Sequence, residues 1–570
     1  MKPDKTQSVV KRYELLKAKK APWNNIYQKV GEFIRIRKQD FDNRKSTDGK
    51  FLTEALFDTT AVFANRTSSA ALLGMLWPSG ERSVRIVPPD DMKGNVKDYF
   101  EWVTKKMSYY MGLSEAGLNI ILDEYMQDNL SFGTGGVAVY DEKESYDIPI
   151  KFGLWDVVHM CIAENKYGFV DTIYGEFEFP VLEAEAMYGL ENLPDKAKEQ
   201  IKEGKYDEKL TVLIAFEPRT ERDKQKAGNK DMPYASYHIA LDTKKLLKES
   251  GFPELPIIVA RHSKSSGEDY GRCPGIESYP DVLLANSQAE AIIRAAEKQL
   301  DPPLGVLDDG SLGTGTIDTS AGALNVLSFN GRVPQSTPIF PIFTVAEMRS
   351  MQEQLVATQQ KIAQHYYIDR LMDLNNDTRM TLGEAQIRDR IRGESLSSVL
   401  NRQMTELFSP LVKRVFNILY RRGFLGVDPD NVELAKKLQA NGVEVREIPA
   451  EVLERQATGA DVYEIQYISP AARILEKEKV TSVMTVIESA LALMQIDQNV
   501  RHKLKAGRAL EVLSELTGGD GSILASDAEV EKAVKQEQAM QQKMLQTEQM
   551  EGEARALRDT AQARSMARTN

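Results

Sequence analysis

Cysteine is nearly absent from this sequence, which contains only Cys161 and Cys273 among its 570 residues. Two cysteines exclude a disulfide framework and indicate a reducing compartment. Histidine is also scarce, and neither His159 beside Cys161 nor His262 near Cys273 is joined by a second Cys/His pair at zinc spacing. The sequence therefore predicts ordinary core or surface histidines and no metal ligand.

Long apolar runs are missing as well. The best membrane candidate, residues 61–77, is interrupted by the polar stretch 65–69, so it predicts a buried amphipathic helix rather than a membrane span. The lysine-rich beginning of the chain has no apolar core of a secretory signal, so no leader is predicted. We therefore expect no membrane partner.

Catalytic motifs are a third absence. The chain has no Gly-x-Ser-x-Gly, no His-Glu-x-x-His and no obvious Cys/His nucleophile pair. The glycine-rich stretch 133–136 follows a predicted helix and precedes a predicted strand, the reverse of the order in a dinucleotide loop, so it predicts a helix-to-strand turn. The glycines of residues 310–322 lack the Gly-Lys-Ser/Thr of a phosphate loop. The sequence thus predicts no enzyme, with no catalytic residue and no cofactor-binding residue.

The sharpest exception is a calcium-loop pattern. Asp373, Asn375 and Asp377, with Glu384 at the twelfth position, match the ligand spacing of an EF-hand. Thr378 stands where the EF-hand requires glycine, and Glu384 is also needed for a helix capping box. A plain polar loop is the favoured interpretation, and an enzyme with a calcium-dependent loop is the alternative.

The charge balance narrows the choice of partners. Acidic residues outnumber basic ones by 84 to 73, which gives a formal net charge of −11. This balance argues against a coat that neutralises phosphates, but it suits a conduit through which DNA passes without being held. The hydrophobic content of 42% is that of a globular protein, and the length gives room for about three or four domain-sized units.

The centre of the chain predicts two helices that flank a β-rich insert. Apolar residues repeat at helical spacing over residues 281–299, and a second apolar stripe follows over residues 344–366. Between them, residues 301–343 are rich in Gly, Pro, Ser and Thr, with strand candidates at 305–307 and 324–329. A connection of this length is usually functional.

A third, very long helix is predicted after these two. It begins at the capping box of Thr381 and Glu384, and it can continue to the stop signal at Gly423. Such a helix is far longer than the average in globular proteins and is more typical of large ring assemblies than of compact enzymes. Pro410 is expected to kink it.

The remaining patterns predict an α+β, mainly helical fold. Before the centre, we expect helices at 7–36 with a break near Pro22, 53–76, 96–110, 114–130, 180–188 and 194–203, and strands at 83–87, 137–140, 148–152, 170–179, 210–216 and 257–260. After Gly423, we expect helices at 432–440, 472–494, 498–517 and 527–563 and a strand at 462–468.

Four groups of stretches, in this order and spacing, resemble the head-to-tail connecting (portal) proteins of short-tailed, T7-like bacteriophages. They are residues 56–61 with 70–78, residues 132–135, residues 256–261 with 270–275, and residues 380–385 with 406–412. Together they extend over most of the chain between residues 10 and 425.

The resemblance implies a phage portal fold with a wing, a stem, a clip, a crown and a C-terminal helical barrel. It also implies a ring oligomer, a dodecamer, at one capsid vertex around a channel for double-stranded DNA packaging and ejection. The implied segments are wing 1–275 and 380–478, stem helices 276–300 and 344–371, clip 301–343, tunnel loop 372–379, crown 479–526 and C-terminal barrel helix 527–570.

The implied partners are further copies of the chain, the terminase large subunit, the major capsid protein, the scaffolding protein, the head–tail adaptor and double-stranded DNA contacted without sequence specificity. The implied location is the portal vertex of the virion, after assembly in the host cytoplasm, and no cofactor is implied. The resemblance makes Arg370, Asn375, Asn376 and Arg379 DNA-channel candidates, with a surface or intersubunit salt bridge as the alternative role for each arginine. The competing hypothesis is a coiled-coil-rich scaffold or adaptor of another assembly, which oligomerises through residues 527–563.

Overall fold

A computed structural model describes most of the first 469 residues and short helical stretches after them. The described residues are 5–36, 56–78, 83–89, 92, 96–223, 228–308, 318, 320–328, 339–341, 348–371, 396–459, 461–469, 483–490, 492–493, 507, 509–510, 513, 534–536 and 540. The chain forms two compact units, Met1–Ala472 and Arg473–Asn570. The described stretches of the second unit are helical, at positions where the sequence predicts helices.

The first unit mixes helices and strands, as the sequence predicts. Its helices are α1 Lys5–Phe33, α2 Thr60–Leu76, α3 Lys97–Gly112, α4 Leu118–Phe132, α5 Val181–Tyr188, α6 Asp195–Lys202, α7 Pro274–Glu277, α8 Tyr279–Leu300, α9 Met348–His365, α10 Ile368–Leu371, α11 Ser409–Arg421, α12 Val432–Ala440 and α13 Ala450–Ala457. Its strands are β1 Val84–Val87, β2 Thr134–Asp141, β3 Ile150–Trp155, β4 Met160–Glu164, β5 Val170–Pro180, β6 Lys209–Pro218, β7 Tyr234–Ala240, β8 Lys245–Phe252, β9 Ile257–Arg261, β10 Leu304–Asp308, β11 Leu324–Ser328, β12 Ile339–Pro341 and β13 Glu464–Tyr467.

The described strands pair into four sheets. An antiparallel five-stranded sheet has the order β4-β5-β6-β7-β8, and an antiparallel three-stranded sheet has the order β3-β2-β9. The other two are the β1-β13 pair and a mixed sheet of order β11-β10-β12. Helix α1 packs on the five-stranded sheet, where Val9, Tyr13 and Leu16 share one apolar core with Tyr174 and Leu213.

Helix α1 corrects one prediction, because it passes through Pro22 without a break. A proline inside a helix removes one backbone hydrogen bond and clashes with the preceding turn. Here both halves of the helix are anchored by burial. Tyr13 lies in the sheet core before the proline, and Tyr27 and Val30 are fully buried after it. Packing on both sides therefore outweighs the local cost of Pro22.

Helix α2 corrects a second prediction, because it begins at Thr60 rather than at Thr53. Residues 56–59 are not helical. The Oδ1 atom of Asp58 accepts a hydrogen bond from the backbone N–H of Thr60 at 3.0 Å. This carboxylate satisfies one of the free donors of the first turn, as side-chain caps do. The Asp58 carboxylate therefore stabilises the first turn of α2.

The sequence patterns missed the strands β4, β7, β8 and β12 and the helices α7 and α13. Strand β7 alternates between apolar side chains in the α1 core, such as Tyr237 and Ile239, and polar side chains on the opposite face, such as Ser236 and His238. The polar residues weaken the strand signal. Strand β8 is an edge strand of its sheet with lysines at both positions 245 and 248, and such charges are typical of protected edges.

The long helix after the centre ends as predicted and changes its winding near Pro410. Its predicted beginning at Thr381 lies outside the described residues, and its described part is helical from residue 396 to Arg421. Gly423 follows with a φ of +80°, the left-handed conformation that ends helices. A π-turn, Met404–Phe408, ends two residues before Pro410. The wider turn is consistent with the expected kink, because the proline ring would clash with a regular preceding turn.

The two central helices form an antiparallel hairpin with a small sheet between them in sequence. The end of α9 meets the beginning of α8, where His365 Nε2 lies 3.4 Å from Asp281 Oδ2. The predicted β-rich insert contains β10 and β11, which pair in parallel, and β12, which pairs antiparallel with β10. Both predicted strands of the insert are confirmed. Among the described helices, none has the length and apolar character to cross a membrane.

Candidate channel and assembly segment

The α8–α9 hairpin is buried at its base and exposed over its outer half. On α8, the buried residues Val282, Ala285, Asn286 and Ala289 all lie before residue 290. On α9, burial begins only at Thr358. We define the outer half of the hairpin as residues 290–300 and 348–357. None of these residues is buried. Even the large apolar side chains are exposed, Ile293 to 45%, Val356 to 49% and Leu300 to 89%. Large apolar side chains thus lie uncovered within one chain.

The base of the hairpin is fixed to the beginning of α2 by polar contacts. The Oδ1 atom of Asn286 on α8 accepts hydrogen bonds from the backbone N–H groups of Phe57 at 2.7 Å and Asp58 at 3.2 Å. From α9, the amide of Gln359 donates to Asp58 Oδ2 at 2.7 Å. Asp58 therefore accepts a hydrogen bond from the first turn of α2 with one oxygen and from the hairpin with the other. Backbone donors that would otherwise be buried and unpaired are satisfied in this way.

The lower end of α9 is attached to α2 as well. The hydroxyl of Ser68, on the buried face of α2, donates to the carbonyl of Tyr366 at 2.5 Å. Tyr366 and Ile362 are both fully buried, and both belong to the apolar stripe predicted for this helix. The other predicted stripe residues, toward the beginning of α9, are only partly buried. The stripe is therefore confirmed, and among its described residues the full burial lies in the lower half.

A sharp turn joins α9 to α10. Tyr367 has a φ of +60°, and its carbonyl accepts hydrogen bonds from the N–H groups of Arg370 at 2.9 Å and Leu371 at 2.8 Å. The guanidinium of Arg370 lies 5.9 Å from the centre of the Tyr367 ring. Arg370 is exposed, and it is the one predicted DNA-channel candidate that the structure describes. Asn375, Asn376 and Arg379 lie outside the described residues, as does the calcium-loop pattern.

Beside this turn, two glycines bring together residues 132–135 and residues 270–275, which both belong to the stretches that resemble portal proteins. Gly133 ends α4 with a φ of +75°, and its carbonyl accepts a hydrogen bond from the N–H of His262 at 2.9 Å. A Cβ on Gly271 would lie 2.1 Å from the Gly133 oxygen, a distance that no side chain can tolerate. The N–H of Gly271 donates to Thr134 Oγ1 at 2.9 Å. The predicted helix-to-strand turn is confirmed, and its glycine is needed for this close approach.

A buried ion network lies at the end of β9. Arg261, 1% exposed, donates through Nε and Nη2 to the two carboxylate oxygens of Glu406 at 3.1 and 3.0 Å, and through its backbone N–H to Glu406 at 3.0 Å. It also pairs with Glu164, to which Lys264 donates at 2.6 Å. Arg402 donates to Glu406 at 2.7 Å. We call these five side chains the Arg261 network.

The Arg261 network connects three parts of the fold. Glu406 belongs to the π-turn, Glu164 ends β4, and Arg261 Nη2 also donates to the carbonyl of Gly168 in the β4–β5 turn at 2.9 Å. Gln403 extends the connection to α4, because its amide donates to the Arg261 carbonyl at 3.0 Å and its oxygen accepts from Tyr125 at 2.7 Å. A bidentate arginine–carboxylate pair of this kind is directional, so it fixes the relative orientation of these elements.

Sequence reasoning missed this network, although its signal was present. Arg261 directly follows the apolar run of β9, and Glu406 stands among apolar residues of a helix, where each charge needs a buried partner. Both residues lie in the stretches that carry the resemblance.

The histidines and cysteines that the sequence places near one another are enclosed to different degrees. Cys161, Cys273 and His262 are buried, and His159 is half-buried with its Nδ1 3.0 Å from Asp156 Oδ1. Burial, with a smaller contribution from Arg402, lowers the pKa of His262 to about 4, and burial raises the pKa of the Cys273 thiol to about 12. Neutral, enclosed groups of this kind are packing residues. Over the described ranges, no cluster of three or more His, Cys, Asp or Glu residues is arranged to hold a metal ion.

Comparison with known proteins identifies the family. The model of the bacteriophage head to tail connecting protein family matches residues 6–524. The chain belongs to this family. It is 25% identical over 561 residues to the portal protein of Salmonella phage epsilon15, a match that covers 94% of this chain and 92% of the relative. It is 22% identical over 549 residues to a probable portal protein of Bordetella phage BPP-1, with the same two coverages.

Two solved structures are similar at a lower level. One is a chain of the virion of a native gene transfer agent particle, with 10% identity, a TM-score of 0.32, and coverage of 72% of this chain and 92% of that chain. The other is a chain of the neck of an empty particle of this kind, with 11% identity, a TM-score of 0.29 and the same coverages. Both scores are low, and the family assignment rests on the sequence matches.

The predicted resemblance to head-to-tail connecting (portal) proteins is thereby confirmed. The chain is a structural component of the portal vertex of a phage virion, and the scaffold or adaptor of another assembly is not favoured.

Proposed function

We propose that copies of this chain form a closed dodecameric ring around a channel through which double-stranded DNA is packaged and later ejected. The observation that carries the proposal is the outer half of the α8–α9 hairpin, where Ile293, Leu300 and Val356 are exposed within one chain. Burying one such side chain stabilises an assembly by about 1.5–3 kcal/mol. The same contact is repeated at every interface of a ring.

The fold supports the segment assignment that the family resemblance implies. The hairpin formed by α8 and α9 has the form of a stem, and the β10–β12 sheet between them has the form of a clip. The proposed segments are wing 1–275 and 380–478, stem 276–300 and 344–371, clip 301–343, tunnel loop 372–379, crown 479–526 and barrel helix 527–570. In this assignment, the Arg261 network braces the wing beside the lower end of the stem.

The charge of the chain supports a conduit more than a binding surface. With a net charge of −11, the wall of the channel would not hold phosphates tightly, and DNA could slide past it. A few cations repeated around a ring are enough to touch the backbone without reading sequence. We propose Arg370, Asn375, Asn376 and Arg379 for these contacts.

The proposed partners follow from the position at the vertex. The clip would meet the terminase large subunit during packaging and the head–tail adaptor afterwards. The outer surface of the wing would contact the major capsid protein, with the scaffolding protein present during assembly in the host cytoplasm.

Deletion of residues 527–570 tests the proposal against the coiled-coil alternative. Light scattering after a sizing column would measure the mass of the full chain and of the truncated chain at equal concentration. We expect both to form rings of the same copy number, since the stem and the wing hold the subunits together. Truncated monomers beside full-length oligomers would contradict the proposal and favour assembly through the C-terminal helix.

A further inference from the structure

Tyr367 adopts a backbone conformation that its side chain disfavours. Its φ of +60° lies in the left-handed region, where among the described non-glycine residues only Lys244, with a φ of 53°, also falls. For a bulky residue this conformation is a true outlier, and it persists only where the surroundings impose it. Glycine or asparagine would adopt the same turn with less strain. An aromatic residue here therefore requires a reason that concerns its ring.

The ring of Tyr367 lies against a rigid element. It stacks on His262, with ring centres 6.2 Å apart and planes inclined by 21°, and its hydroxyl lies 3.5 Å from His262 Nε2. His262 is 3% exposed, and its backbone N–H is bound to Gly133. Burial keeps the pKa of His262 far below neutrality, so the imidazole is uncharged and does not repel a neighbouring cation.

Arg370 contacts the same ring. The guanidinium carbon is 5.9 Å from the ring centre, within the range of a cation–π contact. The backbone N–H of Arg370 donates to the Tyr367 carbonyl, so backbone and side chain are tied to one residue. Upstream, the carbonyl of Tyr366 is held by Ser68 of α2. The left-handed turn is thus fixed at three points.

We propose that Tyr367 is a positioning residue for Arg370. Its ring, seated on His262, holds the turn in its unfavourable conformation and directs the guanidinium of Arg370 away from the wing. The inference rests on the proposed function, in which Arg370 contacts DNA in the channel. It goes further by assigning the orientation of that contact to a stack of His262, Tyr367 and Arg370.

Three substitutions separate the ring from the backbone. Tyr367→Phe keeps the ring and loses only the hydroxyl. Tyr367→Asn tolerates the left-handed turn and removes the ring, and Tyr367→Ala removes the ring and keeps the strain. The first readout is the rate of trypsin cleavage after Arg370, followed by mass spectrometry, because cleavage reports local opening of the turn and needs no DNA.

We expect Tyr367→Asn and Tyr367→Ala to speed cleavage after Arg370 by about tenfold, and Tyr367→Phe to leave the rate within about twofold of the parent. Ring assembly, followed by light scattering, should be the same in all four proteins. A parent-like cleavage rate in Tyr367→Asn would overturn the inference, because it would show that the ring does not stabilise the turn.

The second readout is the yield of DNA-filled particles in phage that carry each variant. Introduced alone, Tyr367→Asn should lower the yield of DNA-filled particles. Introduced together with Arg370→Ala, it should cause no further loss, since the two residues act through one contact. Additive losses would overturn the positioning role. If Arg370→Ala alone leaves the yield unchanged, the channel assignment of Arg370 fails, while the cleavage result decides the positioning role independently.

Discussion

The Arg261 network and the outer half of the α8–α9 hairpin differ in how completely one chain covers them. Around Arg261, every named charge is paired, and the guanidinium is 1% exposed. In the outer hairpin, Ile293 and Leu300 are 45% and 89% exposed. In the first region, folding of one chain pairs and buries the charged groups. The second presents apolar surface that is exposed in one chain, and such surface is typical of protein–protein interaction sites.

This difference separates folding from assembly. Changes in the Arg261 network should destabilise each subunit, whether or not it assembles. Changes in the outer hairpin should leave the subunit folded and act on the oligomer. The base of the hairpin, at Asn286, lies between the two regions and should show an intermediate effect on folding.

Replacing Arg261 by methionine should have the largest effect on folding. The change leaves the carboxylates of Glu406 and Glu164 buried without their central partner, and breaking a buried pair costs about 3–5 kcal/mol. Chemical denaturation should show this loss in the free energy of unfolding. Lys209→Met is the control, because it removes an exposed pair with Glu178 outside the hairpin and should change stability by less than about 0.5 kcal/mol. Equal losses in the two variants would contradict the account.

Acidification should weaken the subunit through His238, in the five-stranded sheet. Burial, with Lys248 nearby, lowers the pKa of His238 to about 4, below the value of about 6.5 in an unfolded chain. The unfolded chain therefore binds the proton first, and stability is complete above pH 6.5 and falls toward pH 4. The loss from this group approaches about 3 kcal/mol.

His238→Asn isolates that contribution. The thermal midpoint of the parent should fall faster than that of the variant as the pH decreases from 7 to 4, so the difference between them should shrink. A difference that stays constant with pH would show that His238 does not titrate as its burial requires.

Asn286→Ala should have a smaller effect at the base of the hairpin. It leaves the N–H groups of Phe57 and Asp58 without their acceptor, and an unsatisfied buried donor costs about 1–3 kcal/mol. Ser287→Ala, one residue further along α8 and exposed, is the control and should be neutral. Denaturation of the two variants under conditions that keep the chain monomeric would measure the difference. A neutral Asn286→Ala would show that the hairpin is not fixed there.

Ile293→Asp should have the smallest effect on folding and a large effect on assembly. Exposed substitutions usually change stability by about 0.5 kcal/mol or less. In the proposed ring, however, the aspartate would be buried at every interface. Light scattering should show a loss of rings with an unchanged monomer midpoint. Leu15→Asp, on an exposed position of α1 in the proposed wing, is the comparison and should impair assembly less. A larger loss of rings in Leu15→Asp than in Ile293→Asp would place the main contact in the wing.

Local patterns in the sequence were sufficient for much of this fold. The apolar stripes of α8 and α9 predicted both helices, and the buried residues Ala285 and Ile362 belong to those stripes. Gly133 predicted a turn because the patterns on its two sides predicted a helix before it and a strand after it. Such features depend on residues close together in the chain.

Features that depend on distant residues were not predictable in this way. Helix α1 continues through Pro22 because Tyr13 and Tyr27 are buried against strands and helices far along the sequence. The Arg261 network joins residues 164, 261 and 406, and no local pattern relates them. The left-handed residue of the turn is Tyr367, and not the glycine or asparagine from which such a conformation could be predicted. In each case tertiary contacts override a local preference.

Electron microscopy of the purified full-length chain in negative stain tests the central claim most directly. The claim is that copies of this chain cover the outer hairpin of one another around a common axis. We expect rings with a stain-filled central hole, and their loss in Ile293→Asp. A discrete dimer, or an elongated rod built through the C-terminal helix, would contradict it.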